Sequence, residues 1–84
     1  MTVRLHPHAR DRLKERGATP AEVIHTVRHG RRARAKFGRT MFSHLFPYNA
    51  QWHGNFYASK RVEAFAAKEP DATWLVITVI VKFF

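Results

Sequence analysis

Residues 19–37 read TPAEVIHTVRHGRRARAKF, and the spacing of apolar side chains changes from helical to alternating within this stretch. Thr19 and Glu22 have the spacing of a capping box, with a proline at the first helical position. The box predicts a helix over residues 20–29, which Gly30 ends in a left-handed conformation. The buried face of this helix is expected to hold Val23, Ile24 and Val27.

After this helix the apolar period becomes two, which is typical of a strand. The alternation predicts a strand over residues 31–37 with one basic, solvated face. Its apolar positions are Ala33, Ala35 and Phe37, and its basic positions are Arg32, Arg34 and Lys36. We expect the chain to turn at Gly38-Arg39.

An earlier helix is predicted over residues 8–16, entered through Pro7 and ended by Gly17. Ala9 and Leu13 form its narrow apolar stripe. The side chains of His8, Arg12 and Arg16 follow one edge of that stripe.

The second half of the chain is expected to form strands. The predicted segments are a strand over residues 40–46 that Pro47 stops, a loop over 48–55, a strand over 56–66, a turn over 69–72 and a strand over 73–84. The last strand is apolar on both faces, which favours the centre of a sheet or a position beneath helices. The sequence therefore predicts a single α+β domain over residues 1–84, with two N-terminal helices packed on one side of a mainly antiparallel sheet of about four strands.

The composition excludes several classes of protein. Apolar residues make up 45% of the 84 residues, enough for a hydrophobic core and too many for a disordered chain. The absence of cysteine excludes a disulfide framework and a thiolate metal site. The N-terminus lacks a secretory apolar stretch, and the apolar run over residues 74–81 is too short to span a bilayer. We expect a cytoplasmic protein with no membrane partner.

The positive charge is confined to the first half of the chain. Residues 1–39 hold eleven Lys and Arg against three acids, whereas residues 40–84 hold four against three. Ten of the fifteen cations are arginine. Such a field attracts phosphate backbones and acidic proteins, so we expect an anionic partner. The alternative is a basic surface that only confers solubility.

His8, Arg12 and Arg16 are spaced by four residues and so share a helical face. An imidazole beside two guanidiniums combines a proton-transfer group with phosphate ligands. The alternative is an amphipathic helix with a basic edge, whose cations pair with Asp11 and Glu15.

Two further candidates lie on predicted strands. Alternation places Lys60 on the core side, where it either reaches the sheet edge or belongs to a site; a turn at this point is equally compatible with the sequence. Thr78 is the only polar residue between Trp74 and Val81 and either bonds a neighbouring strand or opens onto a cleft.

No metal or cofactor is predicted. His25 and His29 are one helical turn apart, but no third ligand completes a recognisable spacing. A run of aromatic residues follows in the second half, of which we expect one or two at most to be available to a ligand: Phe46, Tyr48, Trp52, Phe56 and Tyr57.

The two ends of the chain resemble a family of small bacterial domains of unknown function. The matching residues are His8-Ala9, Arg12, Arg16-Gly17, Thr19, Glu22-Val23 and the strand Val76-Ile77-Thr78-Val79. These domains are similar to the RelE-like members of the barnase–EndoU–colicin–RelE group, whose helix-then-sheet order agrees with the order predicted above. Residues 41–57 depart from the pattern.

The resemblance implies a metal-independent ribonuclease toxin of a toxin–antitoxin or contact-toxin system, in which the ribose 2′-OH attacks the adjacent phosphate. His8 would transfer the proton, Arg12 and Arg16 would bind the phosphate, and Thr78 would line the floor of the site. From strand alternation we add Lys60 as a cation that stabilises the transition state.

The partners expected on this interpretation are RNA and an acidic antitoxin or immunity protein. RNA is expected to dock on the basic strand and turn, through Arg31, Arg32, Arg34, Lys36 and Arg39. Two other functions are compatible with the sequence: a non-catalytic nucleic-acid-binding module, and an interaction domain that binds an acidic protein.

Overall fold

The structure is a computed structural model that describes residues 2–84. Two helices are followed by most of the strands, in an α+β arrangement. The elements are β1 (Val3–Leu5), α1 (Pro7–Arg16), α2 (Pro20–His29), β2 (Arg31–Arg34), β3 (Thr40–Trp52), β4 (Asn55–Lys68) and β5 (Trp74–Phe83). No helix in this part of the chain has the length and apolar character needed to cross a membrane.

The five strands form one sheet in the order β1-β5-β4-β3-β2. β1 runs parallel to β5, and the other neighbours are antiparallel. About four strands were predicted, and the additional one is β1, which pairs only with Trp74–Val76. Three residues are too few to show a period of two, so no sequence pattern predicts this strand.

Both helices begin where the sequence predicts. α1 starts at Pro7 and ends at Gly17, whose φ of 81° is left-handed. In α2 the capping box is complete: the Glu22 amide donates to Thr19 Oγ1 over 3.2 Å, and the Thr19 amide donates to Glu22 Oε1 over 2.9 Å. These two caps fix the short connection between the helices.

The predicted left-handed stop at Gly30 is wrong. Its φ of −77° and ψ of 173° are extended, as any residue can adopt. Glycine is needed there for space, because a Cβ atom would lie 2.4 Å from the Thr26 carbonyl oxygen and 2.5 Å from that of Ser43. The chain therefore passes directly from α2 into β2 against the backbone of β3.

The hydrophobic core lies between the helices and one face of the sheet, which we call the helix face. Leu13, Val23 and Val27 are buried there. The sheet contributes the buried side chains of Phe42, Val62, Ala64, Val76 and Val79. The rings of Phe42 and Trp74 meet edge to face at 5.0 Å, a favourable aromatic geometry.

The other side of the sheet, here called the open face, carries the alternate side chains of the same strands. Its rows follow from the strand register: Met41 with Phe65 and Thr78, Ser43 with Glu63 and Ile80, and Leu45 with Arg61 and Lys82. Neither helix packs on this face. Apolar residues of β5 that point to it, such as Ile80, are therefore only partly buried.

The predicted strand over residues 31–37 is too long. β2 ends at Arg34, and Lys36–Gly38 form a tight turn in which Phe37 and Gly38 both have positive φ and the Arg39 N–H donates to the Lys36 carbonyl oxygen. Ala33 is exposed, so the apolar alternation does not mark a buried face. Ala33 pairs in register with Met41 of β3, so it lies on the face of the sheet that neither helix covers.

The predicted stop at Pro47 is also wrong, since β3 continues to Trp52 and the predicted loop over residues 48–55 is the end of a long hairpin. Ser59, opposite Pro47, exchanges both backbone hydrogen bonds with Phe84 of the other neighbour. Pro47 therefore occupies a position whose N–H would point out of the ladder, where proline is tolerated. The register of β3 against β4 shifts immediately after this residue, between Pro47 and Ala50.

Candidate functional site

A groove lies between α1 and the edge of β5. β1 pairs with β5 only as far as Val76, so within residues 2–84 the rest of this edge has no neighbouring strand. α1 runs beside the free edge and leaves a groove of about 200 Å³. Seven residues line this α1 groove: His8, Ala9, Arg12, Arg16, Ile77, Thr78 and Val79.

His8 lies in the first turn of α1 and is exposed. Its backbone N–H is taken up by the Nδ1 atom of His6, which caps the helix at 3.1 Å. Its own imidazole forms no hydrogen bond within residues 2–84. An exposed imidazole without a protein partner is available for proton transfer to a ligand in the groove.

Arg12 follows one turn later on the same face and is also exposed. Glu15, the residue expected to neutralise it in the amphipathic-helix alternative, forms no ion pair with it in the described part of the chain. Its guanidinium therefore presents free N–H donors to the groove.

Arg16 closes the groove at its other end. One guanidinium nitrogen donates to the Val79 carbonyl oxygen at 2.7 Å. The hydrogen bond joins the last turn of α1 to the free edge of β5. A guanidinium has five N–H donors, so Arg16 holds the groove together and keeps donors for a ligand.

Thr78 borders the groove, but its side chain belongs to the open face. It pairs in register with Phe65, whereas its neighbour Val79 is buried on the helix face. The strand at Thr78 does border the α1 groove, as predicted for its floor. The Thr78 side chain, however, points toward a second pocket on the other side of the sheet.

Lys60 faces the helix side of the sheet, as alternation indicates, but it does not line the α1 groove. Its Nζ donates to the Gly17 carbonyl oxygen at 2.7 Å and to Glu22 Oε1 at 2.9 Å, and lies 5.2 Å from the centre of the Tyr48 ring. We call this group the Lys60 cluster. The structure therefore does not bring Lys60 together with His8, Arg12 and Arg16, and its charge is paired with Glu22.

The basic strand lies at the sheet edge opposite β1. Arg32 crosses the end of the core, with its guanidinium 5.3 Å from the Phe42 ring and 5.5 Å from the Trp74 ring. The other cations on this strand and turn expected to dock RNA are Arg31, Arg34, Lys36 and Arg39. The α1 groove and the basic strand are therefore separate surfaces.

The two surfaces come together at Thr78. A pocket of about 650 Å³ on the open face is lined by three of these cations, Arg34, Lys36 and Arg39. Its apolar part includes Phe37, Met41, Phe65 and Ile80, and Thr78 lines both this pocket and the α1 groove. A ligand lying across Thr78 would contact both.

Two features of the structure escaped the sequence analysis. His44 of β3 brings its ring to 4.8 Å from that of His25, which also lies 4.8 Å from His29. Even so, within residues 2–84 no set of three or more His, Cys, Asp or Glu side chains is arranged to hold a metal ion. The second feature is the exposed ring of Phe37.

Comparison of the chain with family models, curated proteins and solved structures gives no match. The geometry of the α1 groove and of the open face is therefore the basis for assigning a function.

Proposed function

We propose that the protein is an endoribonuclease of the toxin type, acting by proton transfer and without a metal ion. The observation that supports this most strongly is the shared position of His8, Arg12 and Arg16 in one groove. The side chains of the first two have no protein partner in the described chain, whereas the other candidate cation, Lys60, is paired with Glu22.

The chemistry follows from the groups available. His8 accepts the proton of a ribose 2′-OH, and the 2′ oxygen then bonds to the adjacent phosphorus. The bond from phosphorus to the 5′ oxygen breaks, and that oxygen takes a proton from water. The products are a 2′,3′-cyclic phosphate and a free 5′-OH. Proton transfer of this kind contributes about 10²- to 10⁴-fold to a rate.

Arg12 and Arg16 suit the phosphate in this reaction. Negative charge accumulates on the phosphate oxygens in the transition state, and planar guanidiniums donate two parallel N–H bonds to such oxygens. Arg16 is already fixed by its hydrogen bond to Val79, which reduces the entropy lost when it binds the phosphate. Arg12 is exposed and has no such hydrogen bond in the described part of the chain.

A toxin of this type needs an inhibitor in the cell that makes it. The positive charge of residues 1–39 supports an acidic antitoxin or immunity protein as that partner. The same charge supports cytoplasmic RNA as the substrate.

A second candidate function is a nucleic-acid-binding module without catalysis. The exposure of Arg31, Arg32 and Arg34 on an edge strand favours it. This alternative predicts salt-dependent binding without turnover, weakened more by charge reversal at these three arginines than by loss of His8.

The test is cleavage of a labelled single-stranded RNA by the purified protein in the presence of EDTA. We expect products ending in a 2′,3′-cyclic phosphate, and a rate about 10²- to 10⁴-fold lower for His8→Ala. His29→Ala is the matched control, since His29 is an equally exposed helical histidine that does not line the groove.

Cleavage by His8→Ala at the wild-type rate would remove the role of His8. If the protein cleaves no RNA, free or ribosome-bound, yet binds it in a salt-dependent manner, the non-catalytic module is the correct assignment.

A further inference from the structure

Phe37 stands at the tip of the tight turn after β2 and is 87% exposed. Its backbone is left-handed, with φ of 62° and ψ of 33°, a conformation that costs free energy in a residue with a side chain. Exposing a phenyl ring to water has a further cost. Two unfavourable features at one residue indicate that the turn presents this ring to a ligand.

The ring does not belong to the hydrophobic core. Phe42, five residues later, is fully buried beneath the helices, whereas Phe37 packs against none of the core residues. Its described neighbour is the Arg39 guanidinium, 5.8 Å from the ring centre. One face of a flat, apolar ring is thus held beside a cation in solvent.

The surroundings of the ring define the ligand. Arg34, Lys36 and Arg39 line the pocket beside it, and none of the described residues that line it is acidic. Met41 and Ile80 are part of its apolar floor. The pocket therefore suits a molecule that carries both negative charge and a flat apolar surface, which is the combination found in an unpaired nucleotide.

The position of the pocket ties it to the α1 groove. Thr78 lines both. An RNA strand whose phosphate lies between His8 and Arg12 can therefore pass the edge of β5 at Thr78 and enter the pocket. In a duplex the base faces are stacked and closed to side chains, so only a single-stranded segment can offer a base to the ring.

We propose that the turn Lys36–Gly38 is a second RNA-binding site, at which Phe37 stacks on an unpaired base of the strand being cleaved. This inference rests on the proposed ribonuclease function. It assigns single-stranded RNA as the substrate class and makes Phe37 a binding residue remote from the reacting phosphate.

The experiment compares two RNAs and three variants. The RNAs are a dinucleotide, which occupies only the α1 groove, and a single strand of about eight nucleotides, which is long enough to reach the turn. The variants are Phe37→Ala, Phe37→Trp and the control Phe56→Ala, since Phe56 is a phenylalanine 63% exposed on the β3–β4 hairpin.

For the longer RNA we expect Phe37→Ala to raise KM by about 5- to 150-fold, which corresponds to the loss of one stacked base, and to leave kcat unchanged. Phe37→Trp retains the wild-type KM, because its ring also stacks. The dinucleotide is cleaved equally by all variants, and Phe56→Ala behaves as wild type on both RNAs.

An unchanged KM for the longer RNA in Phe37→Ala, with cleavage intact, would overturn the stacking site and leave the proposed function standing. An equal loss on both RNAs would also overturn it, because the substitution would then have damaged the groove.

If the wild-type protein cleaves neither RNA, the proposed function fails and the site is judged by binding. Fluorescence anisotropy with a 2′-O-methyl version of the longer RNA then decides it. Weaker binding of Phe37→Ala than of Phe56→Ala supports the stacking site, and equal binding overturns it.

Discussion

The α1 groove and the Lys60 cluster both place cations beside α1, but they use the charge in opposite ways. In the cluster, the Lys60 ammonium is buried and its donors are taken up by Glu22 and the Gly17 carbonyl oxygen. In the groove, Arg12 is exposed and has no partner in the described chain. The cluster therefore stabilises the connection between the helices, and the groove retains charge for a ligand.

Replacing Lys60 or Arg12 with methionine is the strongest test of this difference between the Lys60 cluster and the α1 groove. Lys60→Met removes the cation from the Glu22 carboxylate, which keeps the Thr19 amide as a donor, and it takes the Lys60 donor from the Gly17 carbonyl oxygen. We therefore expect the free energy of unfolding to fall by about 2 kcal/mol. The corresponding decrease in Tm is roughly 10 °C. Arg12→Met should change stability by less than about 0.5 kcal/mol, because it removes no protein contact.

Urea unfolding and thermal melts of both variants measure the difference. Lys60→Met combined with Glu22→Gln should recover part of the loss, because the unpaired carboxylate is removed. A Lys60→Met protein as stable as wild type would mean that the cluster contributes nothing to folding, and the contrast with the groove would disappear.

The turn at Asp71 lies outside both regions. Its contribution to stability is expected to be smaller than that of Lys60 and to depend on pH. The Thr73 amide donates to Asp71 Oδ1 at 3.1 Å, and this backbone hydrogen bond lowers the pKa of the Asp71 carboxyl below its ordinary value. A lowered pKa in the folded state stabilises the protein above the unfolded pKa, and the stabilisation is lost as pH falls through the folded value.

Asp71→Asn should therefore lower Tm slightly at neutral pH, and the difference from wild type should shrink as pH falls below about 4. Thermal melts across this range measure it. A Tm difference that grows in acid would contradict the assigned hydrogen bond.

Much of the fold is predictable because its signals are local. The capping box at Thr19, the proline starts of both helices and the end of α1 at Gly17 each depend on neighbouring residues only. The inward direction of Lys60 also follows from alternation along one strand. These features are present in the structure as predicted.

The features that the sequence did not reveal depend on residues far apart in the chain. The partner of Lys60 is 38 residues away, and Arg16 bonds to a carbonyl group 63 residues away. Gly30 is needed because of the backbone of β3, which the left-handed prediction could not take into account. Pro47 is tolerated because β3 has no further strand beside it at that point.

The candidate site shows the same division. The sequence places His8, Arg12 and Arg16 on one helical edge, because a period of four residues is sufficient to do so. The edge of β5 beside them is free because β1 is short. No sequence pattern predicts β1 or its length. Alternation in the sequence predicts a strand that includes Phe37. The structure instead has a turn there, which exposes the phenyl ring.

The proposed function requires RNA to lie in the α1 groove. The most direct test is an NMR titration of the wild-type protein with a single-stranded 2′-O-methyl RNA, which binds without being cleaved. We predict shifts in the amide signals of His8, Arg12 and residues 77–79, with the Lys60 amide unchanged. Shifts confined to β2 and the turn at Phe37, with the groove silent, would contradict the claim.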